Sequence, residues 1–372
     1  MNKSLALAAV AVTISTVGAA APGATAAAPS SASCLPGGLY AFVVNADNPS
    51  GARSSLAVLD TTSHEVVRTT TGLGLNPSSI AITHDGKKAY VANFGGLPLN
   101  PVDPSTPPQT VSVVDTGTGN VLGAVAVGRQ PVQVALTPDG RYAYVVNSGT
   151  TEDPGSITVI DTASDRVIDT ISDDGLLSPA AIAFAPDGTH AYVTSAAKST
   201  LAIIDTAARK VTSSVGLGPQ GRDPQGVAVA PDGRQVYVAG SVSRTVITVD
   251  AATARVSGAP IKLPGWGLPE GIAVTPDGSR AYVTEAASDE VAVVDTATAT
   301  ALPNTITVGR NPMTVAFTPD GRQAYVASSL GNPRGLSVID TATNTVTAAV
   351  NTGSGPSSVA FAAVPADGTC QR

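Results

Sequence analysis

The sequence predicts an all-β fold, a seven-bladed β-propeller whose ring is closed by the C-terminal strand. Three observations support this prediction. Three sequence markers each recur seven times, at intervals of roughly 45 residues. The two ends of the chain fall inside one repeat rather than between two repeats. Glycine and proline are abundant, with 37 and 28 residues, which is typical of many short strands joined by tight turns.

Each marker has a structural interpretation. An Asp-Gly pair is predicted to form a hairpin turn, because glycine adopts positive φ without strain. An aromatic residue before a valine and an aspartate after an apolar run mark two of the strands. The pairs start at Asp85, Asp139, Asp187, Asp232, Asp277, Asp320 and Asp367, the aromatic residues are Phe42, Tyr90, Tyr144, Tyr192, Tyr237, Tyr282 and Tyr325, and the aspartates are Asp60, Asp115, Asp161, Asp205, Asp250, Asp295 and Asp340. A catalytic group is needed only once, so we assign these repeated residues to the scaffold.

One repeat predicts four short strands, which we call A to D. In the clearest copy, strand A covers residues 132–136, strand B 143–146, strand C 157–160 and strand D 167–171. Four strands per repeat are typical of a propeller blade. Strands B and C are almost continuously apolar, as expected when neighbouring blades cover both faces of each sheet.

The chain ends predict how the ring closes. The first repeat begins at strand B with Phe42, and the C-terminus ends with a lone strand A at residues 358–361. This last strand A is expected to join the first strands B, C and D, which removes two open sheet edges. The only two cysteines, Cys34 and Cys370, flank the joined strands, so a disulfide between them would lock the closure.

The first 28 residues are predicted to be a secretory signal peptide, and residues 29–372 a single propeller domain. Lys3, an apolar run over residues 5–21 and small residues over 24–28 follow the order of such a peptide. No later segment has 18 uninterrupted apolar residues, so no membrane span is expected in the mature chain. We therefore expect a secreted, extracellular protein.

Charge and motifs exclude several classes of function. The formal net charge is −7, only 13% of residues are charged, and no run of lysine and arginine occurs, which argues against nucleic acid as the main partner. The sequence contains no nucleophile-elbow, haem-attachment, phosphate-loop or histidine-based zinc motif. No metal site is predicted and no cofactor is identified. The partner is expected to be a small molecule or an extracellular protein or glycan.

The strand-B sequences resemble the YVTN family of β-propeller proteins. The motif occurs as Tyr90-Val-Ala-Asn93, Tyr144-Val-Val-Asn147 and Tyr192-Val-Thr-Ser195. The resemblance covers nearly all of residues 38–368 and implies a secreted bacterial propeller. Related propellers look like surface-layer components, periplasmic binding proteins, lactonases and streptogramin lyases. The resemblance therefore implies the fold without choosing an activity.

A functional site is expected on the face of the disc that carries the D–A and B–C loops, where departures from the repeat concentrate. The B–C loop over residues 94–109 is the longest, and it is rich in proline. Long loops on a rigid scaffold are often lids or binding loops. A stiff surface loop without a ligand is the alternative.

Three D–A loops share a Gly-Arg-x-Pro pattern, which contains Arg129, Arg222 and Arg310. The residues after the seven corresponding prolines are predicted to rim the central channel, and they are Ser78, Val132, Ala180, Gln225, Glu270, Met313 and Ser357. Glu270 is the only charged residue among them, and the arginines of the two flanking blades are expected to keep its carboxylate charged. It either lines a polar pocket for an anionic or carbonyl-bearing ligand or forms an ion pair between blades.

Two further residues near Glu270 depart from the repeat. Trp266, the only tryptophan, lies in the same loop and either stacks on a ligand or fills a gap between blades. Glu285 ends strand B where other repeats have Asn93 and Asn147, and its carboxylate is expected near that of Glu270. Such a pair could bind a hard cation such as Ca²⁺ or act as acid and base. The ligand-binding candidates are Arg129, Arg222, Gln225, Trp266, Glu270, Glu285 and Arg310, and no catalytic residue is assigned.

The favoured function is a secreted binding or interaction protein that uses this loop-rich face and the channel mouth. All three histidines, His64, His84 and His190, map to turns on the opposite face, so a histidine-dependent mechanism lacks a base at the channel mouth. The alternative is a small-molecule enzyme of lactonase, hydrolase or lyase type that uses the two glutamates with Arg222 or Arg310.

Overall fold

The described residues form β-strands, one short 3₁₀ helix and the turns and loops between them. The structure, a computed structural model, describes residues 35–46, 54–95, 109–150, 154–330 and 335–364. Contacts divide the chain into Met1–Ser33 and Cys34–Arg372, and every described residue belongs to the second unit. The predicted signal peptide, both cysteines and most of the 94–109 loop lie outside the described residues, so the statements made about them stay predictions.

Short strands alternate with tight turns along the described chain. In chain order they are β1 (Gly38–Asn45), β2 (Ser55–Asp60), β3 (Val66–Thr71), β4 (Pro77–Ile82), β5 (Lys88–Asn93), β6 (Thr110–Asp115), β7 (Val121–Ala126), β8 (Pro131–Leu136), β9 (Tyr142–Asn147), β10 (Ser156–Asp161), β11 (Arg166–Ile171), β12 (Pro179–Phe184), β13 (His190–Ser195), β14 (Thr200–Asp205), β15 (Lys210–Gly216), β16 (Pro224–Val229), β17 (Gln235–Gly240), β18 (Thr245–Asp250), β19 (Arg255–Val256), β20 (Ile261–Lys262), β21 (Pro269–Val274), β22 (Arg280–Glu285), β23 (Glu290–Asp295), β24 (Thr300–Ala301), β25 (Ile306–Thr307), β26 (Pro312–Phe317), β27 (Gln323–Ser328), β28 (Leu336–Asp340), β29 (Thr345–Val350) and β30 (Pro356–Val364). The 3₁₀ helix covers Pro219–Gly221. No helix among the described residues is long and apolar enough to cross a membrane.

The strands assemble into seven antiparallel sheets, which are the seven blades. From the innermost strand A outwards, blades 1 to 7 are β30-β1-β2-β3, β4-β5-β6-β7, β8-β9-β10-β11, β12-β13-β14-β15, β16-β17-β18-β19, β21-β22-β23-β24 and β26-β27-β28-β29. In blades 5 and 6 the outer strand is broken, and its second pieces are β20 and β25. Each strand A contacts the strands A of both neighbouring blades, so the innermost strands form a closed ring. The predicted seven-bladed β-propeller is confirmed.

The C-terminal strand β30 is the innermost strand of blade 1. It pairs with β1 in antiparallel register, with Val43 opposite Val359. The amide Nδ2 of Asn45 also donates to the carbonyl oxygen of Thr352 at 2.8 Å, which ties the two ends of the chain together. The predicted closure of the ring by the C-terminal strand is confirmed.

The hydrophobic core lies between blades, because strands B and C are apolar on both faces. Between blades 3 and 4, for example, Tyr144, Val146 and Ile157 pack against Ile182 and Val193, and each of the five is at most 2% exposed. The described residues contain one such cluster at every interface between neighbouring blades. Burying a large apolar side chain contributes roughly 1.5–3 kcal/mol. A blade left without a neighbour would expose one of these faces, so the closed ring is required for stability.

Three tyrosines of strand B, Tyr90, Tyr144 and Tyr282, bond to the next blade through their hydroxyl groups. The hydroxyl of Tyr90 donates to Oδ1 of Asp165 in the C–D turn of blade 3, and Lys88 Nζ lies 2.7 Å from the other carboxylate oxygen. The hydroxyl of Tyr282 donates in the same way to Asn344 in the C–D turn of blade 7. The repeated tyrosines therefore belong to the scaffold, as the sequence predicts.

Candidate functional site

The two faces of the disc are built differently. Because the strands are antiparallel, the A–B and C–D turns lie on one face, which we call the turn face. The D–A and B–C loops lie on the other, the loop face. All three histidines are on or beside the turns of the turn face, as predicted: His64 in a C–D turn, His84 in an A–B turn and His190 at the start of β13.

The turn face repeats the same hydrogen bonds in every described copy. In each A–B turn an aspartate carboxylate accepts from the backbone N–H two residues further on, and these aspartates are Asp85, Asp139, Asp187, Asp232, Asp277 and Asp320. In each C–D turn an aspartate accepts from the N–H three residues further on, and these are Asp60, Asp115, Asp161, Asp205, Asp250, Asp295 and Asp340. The carboxylates hold the turns, so they belong to the scaffold.

The two faces differ in their large exposed apolar side chains. Among the described residues, the large exposed apolar side chains outside the outer strands are Leu75, Leu177, Val242, Trp266, Leu268 and Leu330. All six lie in D–A or B–C loops, and no described turn of the turn face carries one. Exposed apolar residues that lie close together mark a candidate interaction site, and Trp266 and Leu268 share one loop of this face. The loop face is therefore the candidate functional surface.

Trp266 is the most prominent residue of this surface. Its side chain is 68% exposed, which excludes the alternative that it fills a gap between blades. It stands between Gly265, whose φ is +86°, and Gly267, which is buried against Glu285. A Cβ on Gly267 would lie 2.4 Å from the Cβ of Glu285, so only glycine fits there. The two glycines let the loop lie on Glu285 while the indole faces solvent.

Glu285 replaces an amide that has a structural role in other blades. Asn93 and Asn147, at the same place, donate their Nδ2 to hydroxyls of strand C. Glu285 is only 1% exposed, and the hydroxyl of Ser288 donates to its Oε2 at 3.3 Å. Burial raises the pKa of Glu285 to about 7; Glu290 adds to the rise, while Ser288 and the charge of Arg244 oppose it. A carboxyl group thus sits where the scaffold elsewhere uses a hydrogen-bond donor.

Glu270 lies on the innermost strand of blade 6 and is half-buried. Burial raises its pKa to about 7, and the negative charge of Asp223 in the loop before blade 5 adds to the rise. The expectation that Arg222 and Arg310 keep this carboxylate charged is wrong, because neither guanidinium acts on its pKa. Among the described residues no ion pair joins Glu270 to an arginine, so the alternative of an ion pair between blades is not found.

No hydrogen bond and no charge interaction joins the two glutamates among the described residues. Pro269, next to Glu270, pairs with Glu285 across β21 and β22, but the two carboxyl groups have different neighbours. Glu270 is influenced by Asp223, and Glu285 by Glu290 across the start of β23. The described residues contain no cluster of three or more side chains suited to hold a metal ion. The two carboxyl groups therefore have different electrostatic neighbours.

The remaining candidates lie around these carboxyl groups. Arg222 and Arg310 are exposed on the loop face, in the loops before blades 5 and 7, and Arg129 is half-buried in the loop before blade 3. Gln225 donates its Nε2 to Oδ1 of Asp223 at 3.0 Å, so it holds the carboxylate whose charge adds to the rise of the Glu270 pKa. The structure thus groups the candidates of blades 5 to 7 on one side of the disc and leaves Arg129 apart from them.

Sequence reasoning missed four residues of this surface: Asp223, Arg244, Ser288 and Glu290. Asp223 is the variable position of the Gly-Arg-x-Pro pattern, so comparison of the three copies could have found it. Glu290 pairs with Glu285 across a short hairpin, which the strand register also predicts. Arg244 comes from the B–C turn of the neighbouring blade, so only the assembled ring places it there.

A cavity of about 280 Å³ lies on the turn face between blades 6 and 7. Its lining includes Thr275, Asp277, Arg280 and Asp320, which belong to the repeated turns. Asp277 already accepts hydrogen bonds from the Thr275 hydroxyl and from the backbone of Ser279. These groups are occupied by the scaffold, so the cavity adds no candidate residue.

Solved structures of other proteins share this fold. The periplasmic gluconolactonase of Pseudomonas aeruginosa is similar with a TM-score of 0.72 and 20% sequence identity, over 88% of this chain and 100% of that chain. A Kuenenia stuttgartiensis hydrazine synthase chain is similar with a TM-score of 0.63 and 24% sequence identity, over 80% of this chain and 98% of that chain. A functionally unknown protein from Desulfotomaculum acetoxidans is similar with a TM-score of 0.68 and 18% sequence identity, over 88% of this chain and 99% of that chain.

No family profile and no curated protein sequence matches the chain, so the resemblance to the YVTN family stays a prediction. Structural likeness at such low identity says nothing about activity, because one fold hosts many functions. What the comparisons establish is that this chain has the β-propeller fold of these proteins.

Proposed function

We propose that this protein is an exported binding protein whose loop face holds a small ligand with a carboxylate or carbonyl group and a flat apolar part. The observation that carries the proposal is the confinement of the exposed apolar loop residues to this face, with Trp266 the most exposed of them. Tryptophan combines a large rigid contact area with little entropy to lose, and it is enriched in binding hot spots.

Charged groups around Trp266 favour this class of ligand. Arg222 and Arg310 are exposed in the loops before the two blades that flank blade 6, and a guanidinium binds a carboxylate through two parallel hydrogen bonds. Glu270 has a pKa of about 7, so at neutral pH a large fraction of it carries a proton. A protonated carboxyl donates a hydrogen bond to a carbonyl oxygen, which suits the same ligand.

The single tryptophan provides a direct test, because indole fluorescence of the intact protein reports on Trp266 alone. We would titrate the protein with benzoate and gluconate, and with benzyl alcohol and glucose as uncharged counterparts. The proposal predicts that a carboxylate shifts the emission at lower concentration than its counterpart. Arg222→Ala and Arg310→Ala should weaken that response at least about fivefold, or about 1 kcal/mol.

Arg322→Ala is the matched control, since Arg322 is an exposed arginine of the turn face whose side chain is 86% exposed. It should leave the titration unchanged. Emission that does not respond to any of the four probes, or that responds equally in all three arginine variants, would contradict the proposal.

A second candidate is hydrolysis of a lactone at the channel mouth, favoured by the pKa of about 7 at Glu270. A base with this pKa is well matched to neutral pH. The ionised carboxylate would take a proton from water, the resulting hydroxide would add to the lactone carbonyl carbon, and the ring C–O bond would break. The ring oxygen then takes up the proton to give a hydroxy acid. The similar fold of a periplasmic gluconolactonase makes glucono-δ-lactone the first substrate to test.

The measurement is acid release in a pH-stat. Hydrolysis above the spontaneous rate should increase as the pH rises through about 7, because Glu270 must lose its proton to act as base. Glu270→Gln should abolish the increase, whereas Glu65→Gln, at an exposed turn-face position, should not change it. A wild-type rate equal to the spontaneous rate eliminates this candidate and leaves the binding proposal standing.

Export and the terminal disulfide complete the proposal. We expect the secreted form to begin after Ala28 and to contain a bond between Cys34 and Cys370. That bond would stabilise the closure by about 2–4 kcal/mol. Mass spectrometry of the exported protein tests both points, and two free thiols or an uncleaved N-terminus would contradict them.

A further inference from the structure

The loop that carries Trp266 closes over Glu285 at the loop-face end of blade 6. A Cβ on Gly265 would lie 3.4 Å from Oε2 of Glu285, and a Cβ on Gly267 would lie 3.0 Å from the same atom. Glu285 is the last residue of β22, yet it is only 1% exposed. The loop over residues 264–268 therefore separates this carboxyl group from solvent.

In two other blades the equivalent loop covers a group that does not ionise. Gly74 and Gly128 lie on the side chains of Asn93 and Asn147, whose nearest atoms would be 2.6 and 2.7 Å from a Cβ on the glycine. Both amides donate hydrogen bonds to hydroxyl groups of strand C. An amide stays neutral when the pH changes, whereas Glu285 gains a negative charge under its loop when it loses its proton.

A second carboxyl group lies under the same loop. Glu290 pairs with Glu285 across β22 and β23, and its Oε2 would lie 3.5 Å from a Cβ on Gly265. One point of the loop thus contacts an oxygen of each carboxyl group. Thr110 and Ser156 take the place of Glu290 in blades 2 and 3. Like charges directly opposite each other on neighbouring strands are destabilising, so ionisation of both acids is unfavourable while the loop covers them.

The other charged groups around Glu285 do not neutralise it. The positive charge of Arg244 reaches it from blade 5, but among the described residues no ion pair joins a cation to Glu285. Asp289 bonds to blade 7, where it accepts from the backbone N–H of Asn311. Glu270 on β21 does not act on the pKa of Glu285, and the loop itself contains no ionisable side chain. A carboxylate under the loop would therefore be buried without a paired cation, which is costly.

We propose that the loop over residues 264–268 is a pH-dependent lid, which lies on Glu285 while its carboxyl group is protonated and lifts when that group is ionised. Lifting lets water solvate the carboxylate and separates the loop from Glu290. Gly265, with a φ of +86°, and Gly267 give the backbone the freedom to move. Trp266 lies between these two glycines, so the movement of the lid carries the indole with it.

The direction of the pH effect follows from the pKa of Glu285, which is about 7 under the lid against an ordinary value of 4.5. The raised pKa favours the closed lid fully below pH 4.5, and this advantage is lost as the pH rises through about 7. The ratio of closed to open lid can fall by at most about 300-fold, which is the ratio of the two acid dissociation constants. The indole of Trp266 should therefore be held at acidic pH and mobile at alkaline pH.

Time-resolved fluorescence anisotropy of the exported protein without ligand tests the lid, because Trp266 is the only tryptophan. The rapid component of the decay reports local motion of the indole. It should grow as the pH is raised from acidic to alkaline, while the far-ultraviolet circular dichroism stays unchanged. Glu285→Gln is neutral at either pH, so it should keep the rapid component at its acidic value throughout.

Glu270→Gln is the matched control. The pKa of Glu270 is also about 7, but the atoms nearest to Gly265 and Gly267 belong to Glu285, Ser288 and Glu290. This variant should therefore keep the pH dependence of the wild type. A rapid component that does not change with pH in the wild type overturns the proposal. So does a pH dependence that survives Glu285→Gln, or one that Glu270→Gln removes.

The consequence for ligand binding rests on the proposed function, whereas the movement of the lid does not. If Trp266 binds the ligand, benzoate should bind more weakly at alkaline pH, where the indole is no longer held in place. The anisotropy is measured without ligand, and the benzoate titration at acidic pH is made with the lid closed. A failure of the lid and a failure of the binding proposal are therefore seen in different experiments.

Discussion

The turn face and the loop face are built from the same seven repeats, yet they differ in what is repeated. On the turn face, aspartates in equivalent positions of the described turns accept equivalent backbone hydrogen bonds. On the loop face, blade 6 places Glu285 where blades 2 and 3 place asparagine, and its loop carries the only tryptophan. Repetition thus marks the residues that the fold requires, and departures from it identify candidates for function.

The carboxyl groups of the two faces also differ in their preferred protonation state. Hydrogen bonds to the carboxylate lower the pKa of turn-face aspartates such as Asp139 and Asp320. Burial raises the pKa of Glu270 and Glu285 on the loop face to about 7. The fold therefore stabilises the ionised form on one face and the protonated form on the other. Four predictions test this contrast.

The largest effect is expected from Tyr282, which links blade 6 to the turn face of blade 7. It is fully buried, its ring meets that of Phe317 edge to face at 5.0 Å, and its hydroxyl donates to Asn344. Tyr282→Ala should lower the free energy of unfolding by about 3–5 kcal/mol, the cost of deleting a buried aromatic ring. Tyr282→Phe removes only the hydroxyl and should cost about 1 kcal/mol. Guanidinium unfolding followed by circular dichroism measures both values, and equal losses would contradict the packing argument.

The second prediction concerns pH. A carboxyl group whose pKa is raised to about 7 in the folded state stabilises the fold fully below its ordinary pKa of 4.5, and this contribution is lost as the pH rises through about 7. The free energy of unfolding should therefore fall between these pH values, by at most about 3 kcal/mol per group. Glu285→Gln and Glu270→Gln mimic the protonated carboxyl group. Each variant should therefore show a smaller decrease in the free energy of unfolding as the pH rises.

The turn face supplies the matched control for this experiment. Asp139→Asn and Asp320→Asn remove carboxylates whose pKa is lowered, and such groups lose their contribution only as the pH falls below their ordinary value of 3.8. These variants should leave the slope between pH 4.5 and 7 unchanged. A slope that persists in the double glutamine variant would show that other groups cause it.

The third prediction is that equivalent turn-face aspartates are energetically equivalent. Asp139 accepts from Thr137 at 2.6 Å and from the Arg141 N–H at 3.0 Å. Asp320 accepts from the corresponding groups at 2.6 and 3.1 Å. Replacement of either by alanine should cost about 1 kcal/mol, the usual net value of such hydrogen bonds. Thermal and chemical unfolding measure the cost, and a clear difference between the two variants would mean that the repeats are not interchangeable.

The smallest effect on stability is expected on the loop face. Trp266→Ala removes a side chain that is 68% exposed, so the free energy of unfolding should change by less than about 0.5 kcal/mol. Circular dichroism is the suitable signal, because this variant lacks the only tryptophan. A cost as large as that of the aspartate variants would mean that Trp266 supports the fold rather than a ligand.

The fold was predictable because every repeat has the same pattern of turn residues and apolar strands. Asp-Gly pairs such as Asp139-Gly140 specify a turn by backbone conformation, and the apolar strands specify burial on both faces. The closure by β30 followed from the position of Phe42 at the start of an incomplete repeat. The broken outer strands of blades 5 and 6 were not predictable from this pattern, because strand D is the least apolar and its pairing depends on the interrupting Pro260 and Pro303.

The candidate site was less predictable, because electrostatics depends on distances between blades. The sequence places Glu270 between blades that carry arginines, but in the ring burial raises the pKa of Glu270, and its charged neighbour Asp223 adds to the rise. It also places Glu270 and Glu285 close together along the chain, whereas their carboxyl groups have separate neighbours. The repeat shows which residues depart from the pattern. It does not show which of these residues interact in the folded ring.

The pairing of β1 with β30 has a consequence for the order of events during folding. Asn45 and Thr352 bond across 307 positions of the sequence, so blade 1 can be completed only after the six other blades have been synthesised. Contacts of such long range slow folding, because the chain must lose much of its freedom before they form. Until then β1 keeps an open edge, and blades 1 and 7 lack the neighbour that buries their apolar faces. Loss of the final strand would thus leave a ring that cannot close, even though six complete blades had already been made.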